Sequence, residues 1–270
     1  MKRSLYSHIL RHIQAVIWFL VFTGGGIVAG GEELQRYEFS QVHMGVPLSI
    51  SVYAPDEALA NKGAEAAFQR VEELDALLSD YKIDSELNQL SLEKPHGIPH
   101  EVSQDLFCVL NAAKMVSDQS DGAFDVTVGP IVKLWRKARR QKKLPETEEL
   151  KARLGAVDYR LIRLDQKGQK VTLTRPGMRL DLGGIAKGYA ADQALLVLKS
   201  HGLSQVLLDF GGDLVVGDPP PGKDFWTIAV APLKREEGRE NYQFIDLKNG
   251  SVATSGDAFQ YVEIADVRYS

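Results

Sequence analysis

Apolar and polar residues alternate through Tyr37-Glu38-Phe39-Ser40-Gln41-Val42, and again through Val46-Pro47-Leu48-Ser49-Ile50-Ser51-Val52-Tyr53. A period of two puts alternate side chains on one face, so the pattern predicts two strands of a hairpin that turns at Met44-Gly45. The rhythm then lengthens. Over residues 56–78 the apolar positions Ala64, Ala67, Phe68, Val71, Leu74 and Leu78 recur three and four apart, which predicts a long amphipathic helix. A polar loop leads to a second helix over residues 103–116, and a basic, Pro-punctuated stretch follows over residues 133–151.

The second half changes to short strands, predicted over residues 159–164, 170–174, 205–210, 226–231, 242–247 and 251–254, around one helix over residues 184–199. The stretch Gly217-Asp218-Pro219-Pro220-Pro221-Gly222 reads as an exposed loop inside a domain, because strand-like segments flank it closely. Helices in the first half and strands mainly in the second make an α+β protein, with helices packed on an antiparallel or mixed sheet in a single compact catalytic unit over residues 32–270.

Residues 1–31 follow a different logic. Lys2, Arg3 and Arg11 precede the apolar run Ala15-Val16-Ile17-Trp18-Phe19-Leu20-Val21-Phe22 and a small-residue stretch from Gly24 to Gly31. That is the layout of a secretory signal, cleaved near Ala29 to Gly31, with an uncleaved membrane anchor as the alternative. The run is shorter than the roughly 20 residues a membrane span needs. The expectation is an exported protein, in the periplasm or on the periplasmic face of the inner membrane.

Composition adds mainly exclusions. Of 270 residues 44% are hydrophobic and 25% charged, and the formal net charge is −4, so there is no basic excess of the kind nucleic-acid binding brings. The basic run from Lys133 to Lys143 sits among helix formers with few aromatics and reads as a solvated helix and loop. The single cysteine, Cys108, rules out an intramolecular disulfide and a Cys-rich metal site, and reads as a small core hydrophobe.

Two motifs are dense enough to carry chemistry. Leu180-Asp181-Leu182-Gly183-Gly184-Ile185-Ala186-Lys187-Gly188 reads as a strand end, a glycine turn and a helix start. Such a turn aims backbone N–H groups and the positive end of a helix dipole at one point, where a phosphate fits; Lys187 in the first turn adds a cation, and Asp181 is placed to hold a hydroxyl or ring N–H. The same glycines also suit a plain tight connection. Gly122-Ala123-Phe124-Asp125-Val126-Thr127-Val128-Gly129-Pro130 offers a ring and a carboxylate at a helix–loop boundary, either as a stacking site or as a buried Phe with Asp125 capping a turn. Neither common nucleotide fingerprint is present: Gly212 to Gly217 has phosphate-loop spacing but is followed by Asp218 where Lys is needed, and Gly183 to Gly188 lacks the dinucleotide spacing.

These two motifs, with Asp209-Phe210-Gly211-Gly212-Asp213 and Val252-Ala253-Thr254-Ser255-Gly256-Asp257, stand in an order that resembles the FAD:protein FMN transferase (ApbE) family over about residues 36–270. The resemblance extends to Met44-Gly45 and to the segment from Ser79-Asp80-Tyr81 to Ser85-Glu86-Leu87. It implies an ApbE-like fold and a flavin site in which Met44, Tyr81, Ala123, Phe124 and Asp125 line FAD, Asp181 and Lys187 complete it, and the Gly184 carbonyl is a Mg²⁺ ligand. Thr254, Ser255 and Asp257 belong to a nearby motif without an assigned step, and the catalytic base is unassigned.

The reaction so implied is Mg²⁺-dependent transfer of FMN from FAD to a Thr or Ser hydroxyl of a membrane-associated redox flavoprotein, with release of AMP. By the same resemblance, Tyr269-Ser270 would be followed by a His-containing segment ending in Asp-Pro and later by a stretch whose Asp and Thr complete the metal site, and this sequence stops at Ser270. The resemblance therefore implies a C-terminally truncated member, with poor transfer expected of it. Hydrolysis of FAD to FMN and AMP, a non-catalytic flavin-binding module, and an exported interaction protein are the alternatives.

Overall fold

The computed structural model describes residues 33–230, 242–254, 262–264 and 267–269; the predicted signal or anchor at residues 1–31, Ser255 and Asp257 lie outside them. The chain divides into two units, residues 34–226 with 247–270, and residues 1–33 with 227–246. In chain order the elements are β1 (Gln35–His43), β2 (Val46–Ala54), α1 (Glu57–Leu78), a short α2 (Glu86–Asn88) running into a π-helical turn, β3 (His100–Glu101), α3 (Gln104–Gln119), α4 (Gly129–Gln141), α5 (Thr147–Leu154), β4 (Ile162–Asp165), β5 (Lys170–Leu173), α6 (Ala186–Ser200), β6 (Val206–Phe210), β7 (Asp213–Val216), β8 (Trp226–Val230), β9 (Gln243–Leu247), β10 (Gly250–Val252), β11 (Val262–Ile264) and β12 (Val267–Tyr269). The strands β8 and β9 form a two-stranded sheet of their own, crossed by a hydrogen bond from Thr227 Oγ1 to Asp246 Oδ1.

The main sheet has five strands in the order β1-β2-β6-β7-β10, every pair antiparallel. Its inner face is set by the period of two: Leu48, Ile50, Val52 and Ala54 of β2 are fully buried, as are Val206, Leu208 and Phe210 of β6. Helices α1 and α6 pack against each other and on this sheet. Asp56 caps α1 by accepting from the Leu59 N–H at 2.8 Å, and the helix buries Ala60, Ala64, Ala67, Val71 and Leu74. Helix α6 answers with Ala190, Ala191, Ala194 and Leu198. Small residues on both helices let their axes approach closely, and a Cβ on Gly63 would stand only 2.4 Å from Leu203 Cδ1. A second, three-stranded antiparallel sheet has the order β3-β5-β4.

Two hairpin turns meet at one end of the main sheet. Met44 and Gly45 have φ of 48° and 78°, and Gly211 and Gly212 have φ of 68° and 95°. Left-handed backbone at both central positions is what a two-residue hairpin needs to follow the strand twist. The turns touch, since a Cβ on Gly211 would lie 2.9 Å from Val46 Cβ.

The α+β class, the first hairpin, the long first helix and most later strands are as the sequence predicts. Four expectations need correction. No strand precedes the Gly183-Gly184 turn; only an isolated parallel bridge between Val128 and Arg179 stands there. Residues 159–161 form a 3-10 turn, so β4 starts only at Ile162. Gly217, placed in an exposed loop, is buried against the Ser204 carbonyl. Cys108 is half-buried on the flank of α3, where Gln104 Nε2 donates to its Sγ at 3.0 Å.

Gly217 and Gly188 make opposite predictions. A Cβ on Gly217 would fall 2.2 Å from the Ser204 backbone oxygen, whereas Gly188, inside α6, has nothing within 4 Å. Gly217→Ala should destabilise by about 1–3 kcal/mol through overpacking against rigid backbone. Gly188→Ala should stabilise by roughly 0.5–1 kcal/mol through helix propensity. Urea unfolding midpoints measure both; equal shifts of one sign would contradict the packing described.

Candidate functional site

The turn that opens α6 is fastened from both sides. Leu180 N–H donates to Ser91 Oγ at 3.2 Å, Asp181 N–H to the Val126 carbonyl at 2.8 Å, and Gly183 N–H to Asp181 Oδ1 at 2.9 Å. These bonds replace the ladder a strand would have made. No side chain caps α6 at Ile185; the Ile185 and Ala186 N–H groups instead share the Leu182 carbonyl, at 2.9 and 2.8 Å, and the first turn carries no side-chain cap. The ring of Phe124 closes on Gly184: a Cβ there would stand 3.0 Å from Phe124 Cε2. The two dense motifs of the sequence therefore meet, a half-buried aromatic wall against a glycine turn at a helix N-terminus.

Lys187 lies in the first turn of α6, and its Nζ is 2.5 Å from Asp213 Oδ2 at the start of β7. The pair is partly exposed on both sides and ties α6 to the end of the sheet where Met44-Gly45 and Gly211-Gly212 turn. Met44 itself is half-buried against the core, Ala123 is exposed, and Gly212 N–H is held by Asp209 Oδ1 at 2.8 Å.

Asp125 points its carboxylate into the fold. Oδ1 accepts from Thr127 N–H at 2.7 Å and from Thr127 Oγ1 at 2.6 Å, and Oδ2 accepts from Tyr159 N–H at 2.9 Å. Thr127 is fully buried, and its Oγ1 in turn accepts from Asp158 N–H. Asp125 thereby brackets the chain that presents Phe124, and its side-chain oxygens are already engaged.

Sequence reasoning missed a cluster around Arg136 of α4. Its Nη1 meets Asp80 Oδ2 at 2.5 Å and its Nη2 meets Asp181 Oδ2 at 3.3 Å, while its guanidinium carbon lies 4.2 Å from the centre of the Tyr81 ring. The run 133–143 reads as solvated from its sequence, and Lys137, Arg139, Arg140, Lys142 and Lys143 are exposed. Arg136 departs from that reading because its partners stand 56 and 45 residues away, which no local pattern reveals. Arg179 joins by donating to Asn88 Oδ1 at 3.0 Å. Burial pushes the Asp181 carboxyl above its usual range, with Asp80 adding to the rise and Arg136 opposing it. The Lys133 amine is held below its usual range by desolvation and then by Arg179 and Arg136.

Among the described residues no group of three or more His, Cys, Asp or Glu is placed to hold a metal ion. The Gly184 carbonyl is one neutral oxygen and Asp181 is committed to Arg136 and Gly183, so these residues alone do not fit a resident Mg²⁺, which takes octahedral oxygen coordination with carboxylates or phosphates. Thr254 is exposed.

The fold is thus an antiparallel sheet carrying helices, with an aromatic ring against the glycine turn that opens α6 and an Arg136–Asp80–Asp181 cluster that reaches the same turn. The ApbE family model matches residues 44–270, and the chain belongs to that family. An FAD:protein FMN transferase of Klebsiella pneumoniae is 32% identical over 230 residues, covering 84% of this chain and 68% of that protein. One from Haemophilus influenzae is 33% identical over 218 residues, covering 79% of this chain and 63% of its own length. The chain thus spans about two thirds of these curated relatives. Among solved structures, the ApbE protein of Thermotoga maritima superposes with a TM-score of 0.76 at 30% identity, covering 87% of this chain and 75% of that one. The flavin transferase ApbE of Vibrio cholerae does so at 0.73 and 26% identity, covering 87% and 76%.

The raised carboxyl of Asp181 sets a pH dependence. A carboxyl whose folded value exceeds its unfolded value costs stability once it must ionise, so the cost is absent below the ordinary Asp range and grows as pH rises through the folded value. Comparing Asp181→Asn with the parent cancels the other groups: the difference in unfolding free energy should move in favour of Asn as pH is raised from about 3 to about 7. A pH-independent difference would refute the burial argument.

Proposed function

We propose that this chain is an FAD:protein FMN transferase: it binds FAD and passes FMN to a Ser or Thr hydroxyl of a partner flavoprotein, releasing AMP. The observation that carries this reading is the contact of the Phe124 ring with Gly184 at the uncapped start of α6. FAD needs both halves of that arrangement, an apolar wall for a ring and N–H groups with a helix dipole for the pyrophosphate. Membership of the ApbE family and the names of the similar proteins support the same activity.

In the transfer, the acceptor oxygen forms a bond to the FMN-side phosphorus, the bond from that phosphorus to the bridging oxygen breaks, and AMP leaves with the electron pair. The hydroxyl proton passes to a general base. The start of α6 and Lys187 hold the phosphates, and rigid placement of the reacting phosphorus is their contribution to rate. Lys187 keeps Asp213 as a counter-ion, so the lysine is oriented before the ligand arrives. Magnesium enters the proposal as a companion of the pyrophosphate, whose charge a divalent cation neutralises. The acceptor is proposed to be a membrane-associated redox flavoprotein met outside the inner membrane, a placement supported by the composition of residues 1–31.

The protein should be stabilised by FAD through mass action, with a melting temperature that rises with FAD concentration. Lys187→Ala should weaken FAD by roughly ten- to a hundred-fold and riboflavin far less, as expected for a lost charge-assisted bond to phosphate. Equal losses for the two ligands would assign Lys187 to the fold alone. Incubation with FAD and a purified acceptor domain should give AMP and acceptor-bound flavin in equal amounts; AMP without bound flavin would mark a hydrolase, and neither product would overturn the reading.

A further inference from the structure

The side chain of Tyr81 poses a physical problem. It is 77% exposed on the loop after α1, where a lone ring gains little by staying in one rotamer. The surrounding backbone is nonetheless locked. Buried Asn88 donates through Nδ2 to the carbonyls of Asp80 at 3.1 Å and Lys82 at 2.7 Å, and Ser85 Oγ donates to the Ser79 carbonyl at 2.6 Å. The ring is held by a different device. Arg136 spends the two ends of its fork on Asp80 and Asp181, which fixes the plane of the guanidinium, and its carbon then lies 4.2 Å from the ring centre. A cation over an aromatic face is attractive, and here the cation cannot drift.

We propose that Arg136 is a positioning residue of the flavin site: clamped by Asp80 and Asp181, it backs the Tyr81 ring and holds it as a preformed stacking platform for a flat ring of the ligand. The proposal rests on the flavin reading above and deepens it. One face of the ring is covered by the guanidinium, and the exposure of the residue leaves ring surface for the ligand. The same guanidinium reaches Asp181, two residues before the Gly183-Gly184 turn, so the platform and the phosphate end of the site are joined through one side chain. No motif in the sequence points to Arg136, because the clamp exists only once three distant segments have met.

The test is a double-mutant cycle read by binding, using flavin fluorescence with FAD as the probe on the full chain. Arg136→Met should raise the FAD dissociation constant about three- to tenfold, through the lost ring contact and the lost preorganisation. Arg136→Lys keeps the charge but not the flat fork and should recover only part of that loss. The decisive comparison is Arg136→Met in a Tyr81→Ala background, where its effect on FAD should be clearly smaller, because only the link to Asp181 is then left to lose. A general loss of fold integrity would instead lower affinity equally in both backgrounds, and that result overturns the proposal. If Arg136→Met does not fold, the same cycle is run with Arg136→Lys, and an equal effect of Lys with and without Tyr81 overturns it in the same way. Unchanged FAD affinity in Arg136→Met also overturns it. A parent protein that binds no flavin at all is a separate result, which removes the functional reading itself.

Discussion

How closely α6 can lie on the sheet and on α1 decides where everything else at the site can be. The helix carries alanines at Ala190, Ala191 and Ala194 on its buried face, α1 presents Ala60, Ala64 and Ala67, and Gly63 and Gly217 sit where a single Cβ would collide with Leu203 or with the Ser204 carbonyl. Close packing of this kind has little slack, because interiors are as dense as organic crystals. The first turn of α6 is therefore delivered to a fixed place beside the Gly211-Gly212 and Met44-Gly45 turns, where Lys187 finds Asp213. A bulkier contact face would move the helix start and with it the Gly184 turn that lies against the Phe124 ring.

Around that fixed helix the polar groups divide into two kinds of work. Asp125 uses three short hydrogen bonds to hold the chain that carries Phe124, two on Oδ1 and one on Oδ2. Arg136 and its two carboxylates instead tie together three segments far apart in sequence, and they keep part of their surface in water. Asp181 belongs to both systems, since one oxygen orders the glycine turn and the other meets Arg136. Its carboxyl is raised by burial first and by the neighbouring Asp80, while the Gly183 N–H and Arg136 both pull it back down.

The parts of this architecture governed by local period were legible before any coordinates. Alternation through Val46 to Tyr53 became β2, and the three- and four-residue spacing from Ala64 to Leu78 became α1. The Phe124 and Gly184 motifs were recognised separately, but their contact is a fact of packing and not of spacing. The strand expected before Gly183 failed because Leu180 and Asp181 give their N–H groups to Ser91 and Val126, partners that no run of apolar residues announces. Arg136 was invisible for the same reason: within its own helix it is one cation among five, and only Asp80, Tyr81 and Asp181 distinguish it.

The hairpin turn at Met44 sets two preferences against each other. Methionine there holds a left-handed backbone at φ 48°, a region that costs an L-residue with a full side chain roughly 1 kcal/mol and that asparagine or glycine would occupy more easily. The same side chain is half-buried against the core, so a glycine or asparagine in its place would relax the backbone and strip away that packing in one exchange. The corner of the hairpin is thus a tug-of-war between chain and side chain, and its stability is a small difference between the two.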